Sequence, residues 1–144
     1  MKQGITLIEI LLVVLLIIFL ALFIFPIGIS FYKSQQLESH TQGILQTLRR
    51  AQLKAIGMES DSSFGIYFDD SNKKYILFKG NSYSPGDPSN EEFEFPASIT
   101  ISGFSVVFFS KAEGKPSVTG NIIVSTNGLT QTININEVGR INLE

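Results

Sequence analysis

Glu9 is the residue of this sequence whose type and place most call for a chemical account. It stands five residues after Gly4, at the head of a run in which nothing from Ile10 to Phe25 is polar. A charged side chain deep in an apolar span costs about 2.5–3.5 kcal/mol on insertion scales, and such residues usually mark function. The chemistry open to Glu9 is charge pairing, and its partner has to be a cation. Other candidates have plainer readings. His40, the only histidine, lies in a polar helical stretch and reads as a solvated surface residue rather than a ligand or base. Asp69-Asp70-Ser71-Asn72 is rich enough in oxygens for calcium, but it lacks the EF-hand spacing and the late bidentate glutamate. An Asx turn in a hairpin explains it better. Arg49-Arg50 could face a polyanion; a solvated helix face is the reading adopted.

Whole classes of function drop out on composition. The chain has no cysteine, so disulfides and thiolate metal sites are excluded. No P-loop, GxSxG, HExxH or CxxC motif is present, and a lone histidine gives a Ser-His-Asp arrangement no support. Neither an enzyme nor a cofactor nor a metal site is expected. The formal net charge is −2. Setting aside Lys2 and Glu9 leaves ten basic residues against twelve acidic, which is no electrostatic footprint for nucleic acid.

The elements that position Glu9 come next. With 144 residues, 44% of them hydrophobic, the chain can form one domain with a modest core, but its apolar excess sits at one end. The run resumes after Phe25 with Ile27 and Ile29 around Pro26 and Gly28. At about 1.5 Å per residue, a helix from Ile5 to Ile29 crosses the hydrocarbon core of a bilayer. A secretory signal would have a shorter apolar core and a small-x-small cleavage site, and "FPIGISFYKSQQ" supplies none. A plain single-pass anchor accounts for the length and for Lys2 on the cytoplasmic side, but not for Glu9. Pro26 removes a backbone hydrogen bond and clashes with the carbonyl at Leu22, and Gly28 weakens the same turn. The expectation is a kink there, or an ordinary span end.

Beyond the span, Leu37, Thr41, Ile44, Leu48, Ala51 and Ala55 follow three-four spacing and form one stripe. Gly57 and the polar "ESDSS" end the helix. The remainder reads as strands. "FGIYFD" and "YILFKG" flank "DSNKK" as a hairpin. "NSYSPGDPSNEE", Asn81 to Glu92, is a surface loop. "FEFPASITIS" and "FSVVFFS" follow, with Gly103 between them. "NIIVS" and "QTININ" surround the tight-turn pair Asn127-Gly128, and "GRINLE" closes the chain. The expected fold class is α+β: a long N-terminal transmembrane helix, then about seven short strands in an antiparallel sheet, or two small sheets, on the helix stripe.

Gly4, Ile5 and Glu9, with Lys2 before them and the apolar run after, resemble a type IV pilin or pseudopilin precursor. The second half is similar to the minor pseudopilins of the GspH/FimT type. It carries "LRRAQLKAI" on the late helix, "VVFFSKAEGKPSVTGNIIVS" in the middle and "GRI" near the end. The resemblance implies a leader over 1–4, removed by a prepilin peptidase between Gly4 and Ile5, with Ile5 then N-methylated. It also implies a filament-core helix over 5–29, an amphipathic continuation over 30–57 and a β-rich head over 58–144. Glu9 would then pair with the Ile5 ammonium of a neighbouring subunit and set axial register. The implied partners are other pilins or pseudopilins, the peptidase and an inner-membrane assembly platform. The chain would sit in the inner membrane with a cytoplasmic N-terminus and an exported head, before joining a type IV pilus or a type II secretion pseudopilus.

Some members of the FimT branch bind DNA through a Gly-Arg-x-Arg motif. Gly139, Arg140 and Ile141 match its start, and Asn142 replaces the second arginine. A DNA-binding pilin acting through Arg140 is therefore one alternative, and a membrane-tethered binding module is another. One arginine neutralises one phosphate, and useful affinity needs several.

Overall fold

The computed structural model describes residues 6–144, the side chains of 23–28 excepted. Helix α1 spans Leu7–Ile56, a 3-10 turn covers Glu59–Asp61, and eight strands follow. They are β1 (Phe64–Asp69), β2 (Lys74–Lys79), β3 (Glu91–Glu94), β4 (Thr100–Ser102), β5 (Val106–Phe109), β6 (Gly120–Thr126), β7 (Leu129–Ile135) and β8 (Ile141–Leu143). The chain divides into two compact units, Met1–Gln35 and Gln36–Glu144.

In the first unit, α1 is apolar on every side from Ile10 to Leu22. The consecutive residues Leu11, Leu12, Val13 and Val14, which together circle the helix, are 60%, 64%, 50% and 49% exposed. Among the described residues, no helix is long and apolar enough to cross a membrane. The expected span from Ile5 to Ile29 is therefore not reproduced whole. The stretch Leu7–Leu22 is shorter than the roughly 20 residues a crossing takes, and the positions that would extend it lie outside the described side chains. The expected kink at Pro26 and Gly28 lies outside them too.

In the second unit, the helix stripe meets the sheets. Leu37, Thr41, Ile44, Leu48, Ala51 and Ala55 are all buried, as their spacing predicts, and Leu45 and Thr47 widen the face. Thr41 and Thr47 bury their hydroxyls by donating to the carbonyls one turn back, at Leu37 and Gly43. Fully burying each large aliphatic side chain contributes about 1.5–3 kcal/mol. The helix stops after Ile56, but Gly57 is not the left-handed residue. Met58 takes that conformation, with φ 50°, and its N–H bonds to Ala55 O.

The strands form two antiparallel four-stranded sheets, in the orders β3-β2-β1-β5 and β4-β6-β7-β8. Local pattern carries the β1–β2 and β6–β7 hairpins. Asn127 and Gly128, at φ 46° and 86°, make the mirror-image turn whose twist suits a two-residue connection. Two expectations are corrected. The strand-like "FEFPASITIS" breaks at Pro96 into β3 and β4, which join different sheets, so there are eight strands rather than seven. Pro96 has no N–H for a ladder, and its carbonyl accepts from Ile99 in a turn. The loop from Asn81 also ends earlier than Glu92, because Glu91 and Glu92 already pair with Leu77 and Ile76.

The chain crosses between sheets at β4, β5 and β6, and charged side chains fasten the crossing. Asp70, in the β1–β2 turn, accepts from Ile101 N at 2.9 Å and from Lys73 Nζ at 3.0 Å. Lys73 also donates to Ile99 O at 3.1 Å and stands over the Phe95 ring. A turn of one sheet thereby caps the edge strand of the other.

Candidate functional site

Glu9 lies in the first turn of α1. Thr6 O accepts from Glu9 N at 3.1 Å and from Ile10 N at 3.3 Å, so Thr6 is the residue from which the helix starts. Glu9 is then the third helical residue, and Thr6-x-x-Glu9 has the spacing of a capping box. Sequence reasoning missed this signal, although "TLIE" carries it. The position also sets the carboxylate at the positive end of the helix dipole. Among the described residues no hydrogen bond or ion pair engages that carboxylate, and Ile10, Val13 and Val14 flank it as an apolar facet. The arrangement offers one anion on an otherwise apolar cylinder. Gly4 and Ile5, the expected cut and methylation positions, lie outside the described residues.

The remaining candidates fall in the second unit. Arg140 is exposed in the turn before β8, not in the strand, and its backbone N–H bonds to Asn136 Oδ1 at 2.8 Å. It joins no salt bridge among the described residues. The residue before it does more. Gly139 is buried with φ 85°, and a Cβ there would lie 2.6 Å from Gln52 Nε2 and 2.7 Å from Gly114 O. Gln52, on α1, donates to Gly139 O at 2.7 Å and to Gly114 O at 3.0 Å, tying two loops to the helix. The "GRI" signature is thus, at its glycine, a packing requirement.

Arg49 and Arg50 are not simply solvated. Arg49 donates to Ile141 O at 3.1 Å on β8, and Arg50 forks onto Glu91 at 2.7 and 2.9 Å. Asp69 forms the Asx turn, accepting from Asn72 N and Nδ2 at 3.1 and 2.7 Å, and these bonds hold its carboxyl below the ordinary value. With Asp70 turned to Ile101 and Lys73, the two carboxylates do not converge on a cation. Among the described residues, no cluster of three or more acidic, histidine or cysteine side chains could hold a metal. His40 is half-buried rather than solvated, and burial lowers its pKa.

No family model matches the chain, and no curated protein matches it in sequence. One solved structure does match in fold: the minor pseudopilin EpsH from the type 2 secretion system of Vibrio cholerae. The TM-score is 0.58 at 15% identity, over 76% of this chain and 96% of that one. At that identity the likeness speaks for the fold alone. Helix, two antiparallel sheets and crossing connections together give this chain a pseudopilin-like fold.

Proposed function

We propose that this protein is a minor pilin or pseudopilin: a structural, non-catalytic subunit made as a membrane precursor. A prepilin peptidase cuts it between Gly4 and Ile5 and methylates Ile5. It then assembles with other pilin-like subunits, through the N-terminal helix, on an inner-membrane platform into a type IV pilus or a type II secretion pseudopilus. The observation that supports this best is a pseudopilin-like head on a chain whose helix begins apolar on every face, with Glu9 as its one charge. A helix of that kind calls for lipid or other helices around it. Glu9 meets the Ile5 ammonium of a neighbour, and deleting one partner of such a buried pair typically costs about 3–5 kcal/mol. Nothing in the geometry favours DNA over this reading, since Asn142 replaces the motif's second arginine, Arg49 is bonded to Ile141 O, and useful affinity needs several phosphate contacts.

The test is co-expression with an active prepilin peptidase. Intact mass should show a chain that starts at Ile5 with one added methyl group; an uncut chain refutes the reading. Glu9→Ala should still be cut and inserted but should assemble poorly with other pilins. Unchanged assembly would favour a tethered binding module.

A further inference from the structure

The sheet β3-β2-β1-β5 has a second apolar face. Phe64, Ile66, Phe68, Tyr75, Leu77, Val107 and Phe109 belong to the main core. The alternate positions point the other way, where an antiparallel sheet with one packed face is normally polar. Here they form two apolar rungs across β2, β1 and β5. One is Phe78–Gly65–Phe108 and the other Ile76–Tyr67–Val106. Gly65 leaves room: a Cβ there would lie 2.6 Å from the Phe78 ring and 2.8 Å from Phe108 Cβ.

The segment after β2 covers part of this face. Tyr83 stacks on Tyr67, with centroids 4.4 Å apart and planes 5° from parallel, and meets Phe78 edge-on at 6.0 Å. Phe78 and Ile76 are buried at 1% and 0% exposure, although neither belongs to the main core. The cover stops short of β5. A hollow of about 270 Å³ remains, lined by Tyr67, Tyr83, Val106, Phe108, Asn81 and Ser82.

The lining decides the ligand class. It contains no charged side chain. Lys74, whose field reaches Tyr83, is paired with Glu92 at 2.9 Å. A nucleotide would bring its phosphate to a lining that holds no cation. A proline-rich peptide needs an extended aromatic-lined groove, whereas in the closed Tyr67–Tyr83 stack each ring covers one face of the other and leaves one face open. Asn81 and Ser82 line the hollow with no side-chain hydrogen bond among the described residues, so an amide and a hydroxyl are free to bond a ligand. Apolar ring faces edged by neutral hydrogen-bonding groups suit a molecule with a C–H face and a hydroxyl rim. The size is at the small end for ligand sites, enough for a sugar ring rather than a large cofactor. We infer that this hollow is a binding site for a neutral carbohydrate, with the sugar face on an open ring face of the Tyr67–Tyr83 stack and its hydroxyls on Asn81 and Ser82.

The test uses the full chain, with tyrosine rings labelled for NMR, in micelles of a detergent that carries no sugar headgroup. Cellotriose, maltotriose and N,N′,N″-triacetylchitotriose, all neutral, are titrated separately to about 10 mM, the range of weak single-site binding. At least one should shift the Tyr67 and Tyr83 signals saturably. Tyr67→Ala should abolish saturation. Asn81→Ala, at an exposed loop position, should weaken binding several-fold. The inference is overturned if no sugar gives a saturable shift, or if both variants bind as the parent does. It is also overturned if only a proline-rich peptide binds, or if the signals move with protein concentration alone, which would make the hollow a contact for a second copy. These outcomes are independent of the leader cut, which tests the pilin reading.

Discussion

Gly139→Ala separates the structural from the functional meaning of the Gly-Arg-Ile signature. Gly139 and Gly128 have nearly the same left-handed backbone, at φ 85° and 86°. Alanine in that conformation costs about 1–2 kcal/mol at either place. Their surroundings differ. A Cβ on Gly128 meets nothing within 4 Å, whereas one on Gly139 meets Gln52 Nε2 at 2.6 Å and the Gly114 carbonyl at 2.7 Å. The new methyl must push Gln52 away from both carbonyls it serves, and each lost bond contributes about 0.5–1.5 kcal/mol. Gly139→Ala should therefore destabilise the head by about 2–5 kcal/mol and Gly128→Ala by about 1–2 kcal/mol. Arg140→Ala, at an exposed side chain that joins no salt bridge among the described residues, should stay within about 0.5 kcal/mol. Urea unfolding followed by tyrosine fluorescence can report this, since the chain has four tyrosines and no tryptophan. Equal losses for the two glycine variants would refute the packing argument. A large loss for Arg140→Ala would show that the arginine is structural after all.

Three further outcomes follow from the same geometry. Leu48→Ala, at 0% exposure on the helix stripe, should cost about 2–5 kcal/mol in the same urea assay. Asp70→Ala should cost about 1–3 kcal/mol, because it leaves Ile101 N–H without its acceptor, while Asp70→Asn keeps an acceptor and should cost less. The third concerns pH. Burial lowers the His40 pKa from its ordinary 6.5, so the unfolded chain binds the proton more readily. His40 thus favours the fold above pH 6.5, and that contribution is lost as pH falls from 6.5 through its folded value. Glu38 acts further into acid. Hydrogen bonds from Gln131 and Gln42 hold its pKa below 4.5, so its contribution is present above that value and disappears as the carboxylate protonates below it. Unfolding midpoints measured down the pH scale should show both losses. His40→Gln should remove the first and Glu38→Gln the second.

What could be read in advance was what depends on neighbours along the chain. Three-four spacing placed Leu37 through Ala55 on one buried face because a helix repeats every 3.6 residues regardless of what it packs on. "FGIYFD" and Asn127-Gly128 were legible because a strand and a two-residue turn are conditions on a few consecutive dihedral angles. Glu9 stood out because the energy of a charge in an apolar run needs no fold to evaluate. The partition of the strands was not legible. β5 pairs with β1 and β4 with β6, and backbone ladder bonds carry no address that names their partner. Register follows from which faces are buried, and that is known only once both sheets meet the helix.

The same limit explains the individual residues. Phe78 reads as an ordinary strand residue until Tyr83 meets its ring. Arg49 reads as solvated until β8 brings Ile141 within its reach. Gly139 reads as part of a motif until Gln52, distant in sequence, occupies the space its side chain would need. By itself the sequence determined the helix, most of the strands, the core face of the helix and the one charge in the apolar run, all set by short-range sterics and solvation. The tertiary structure alone decided the two-sheet division, the clasps at Asp70 and Gln52, and the second apolar face, because each rests on contacts between segments that only folding brings together.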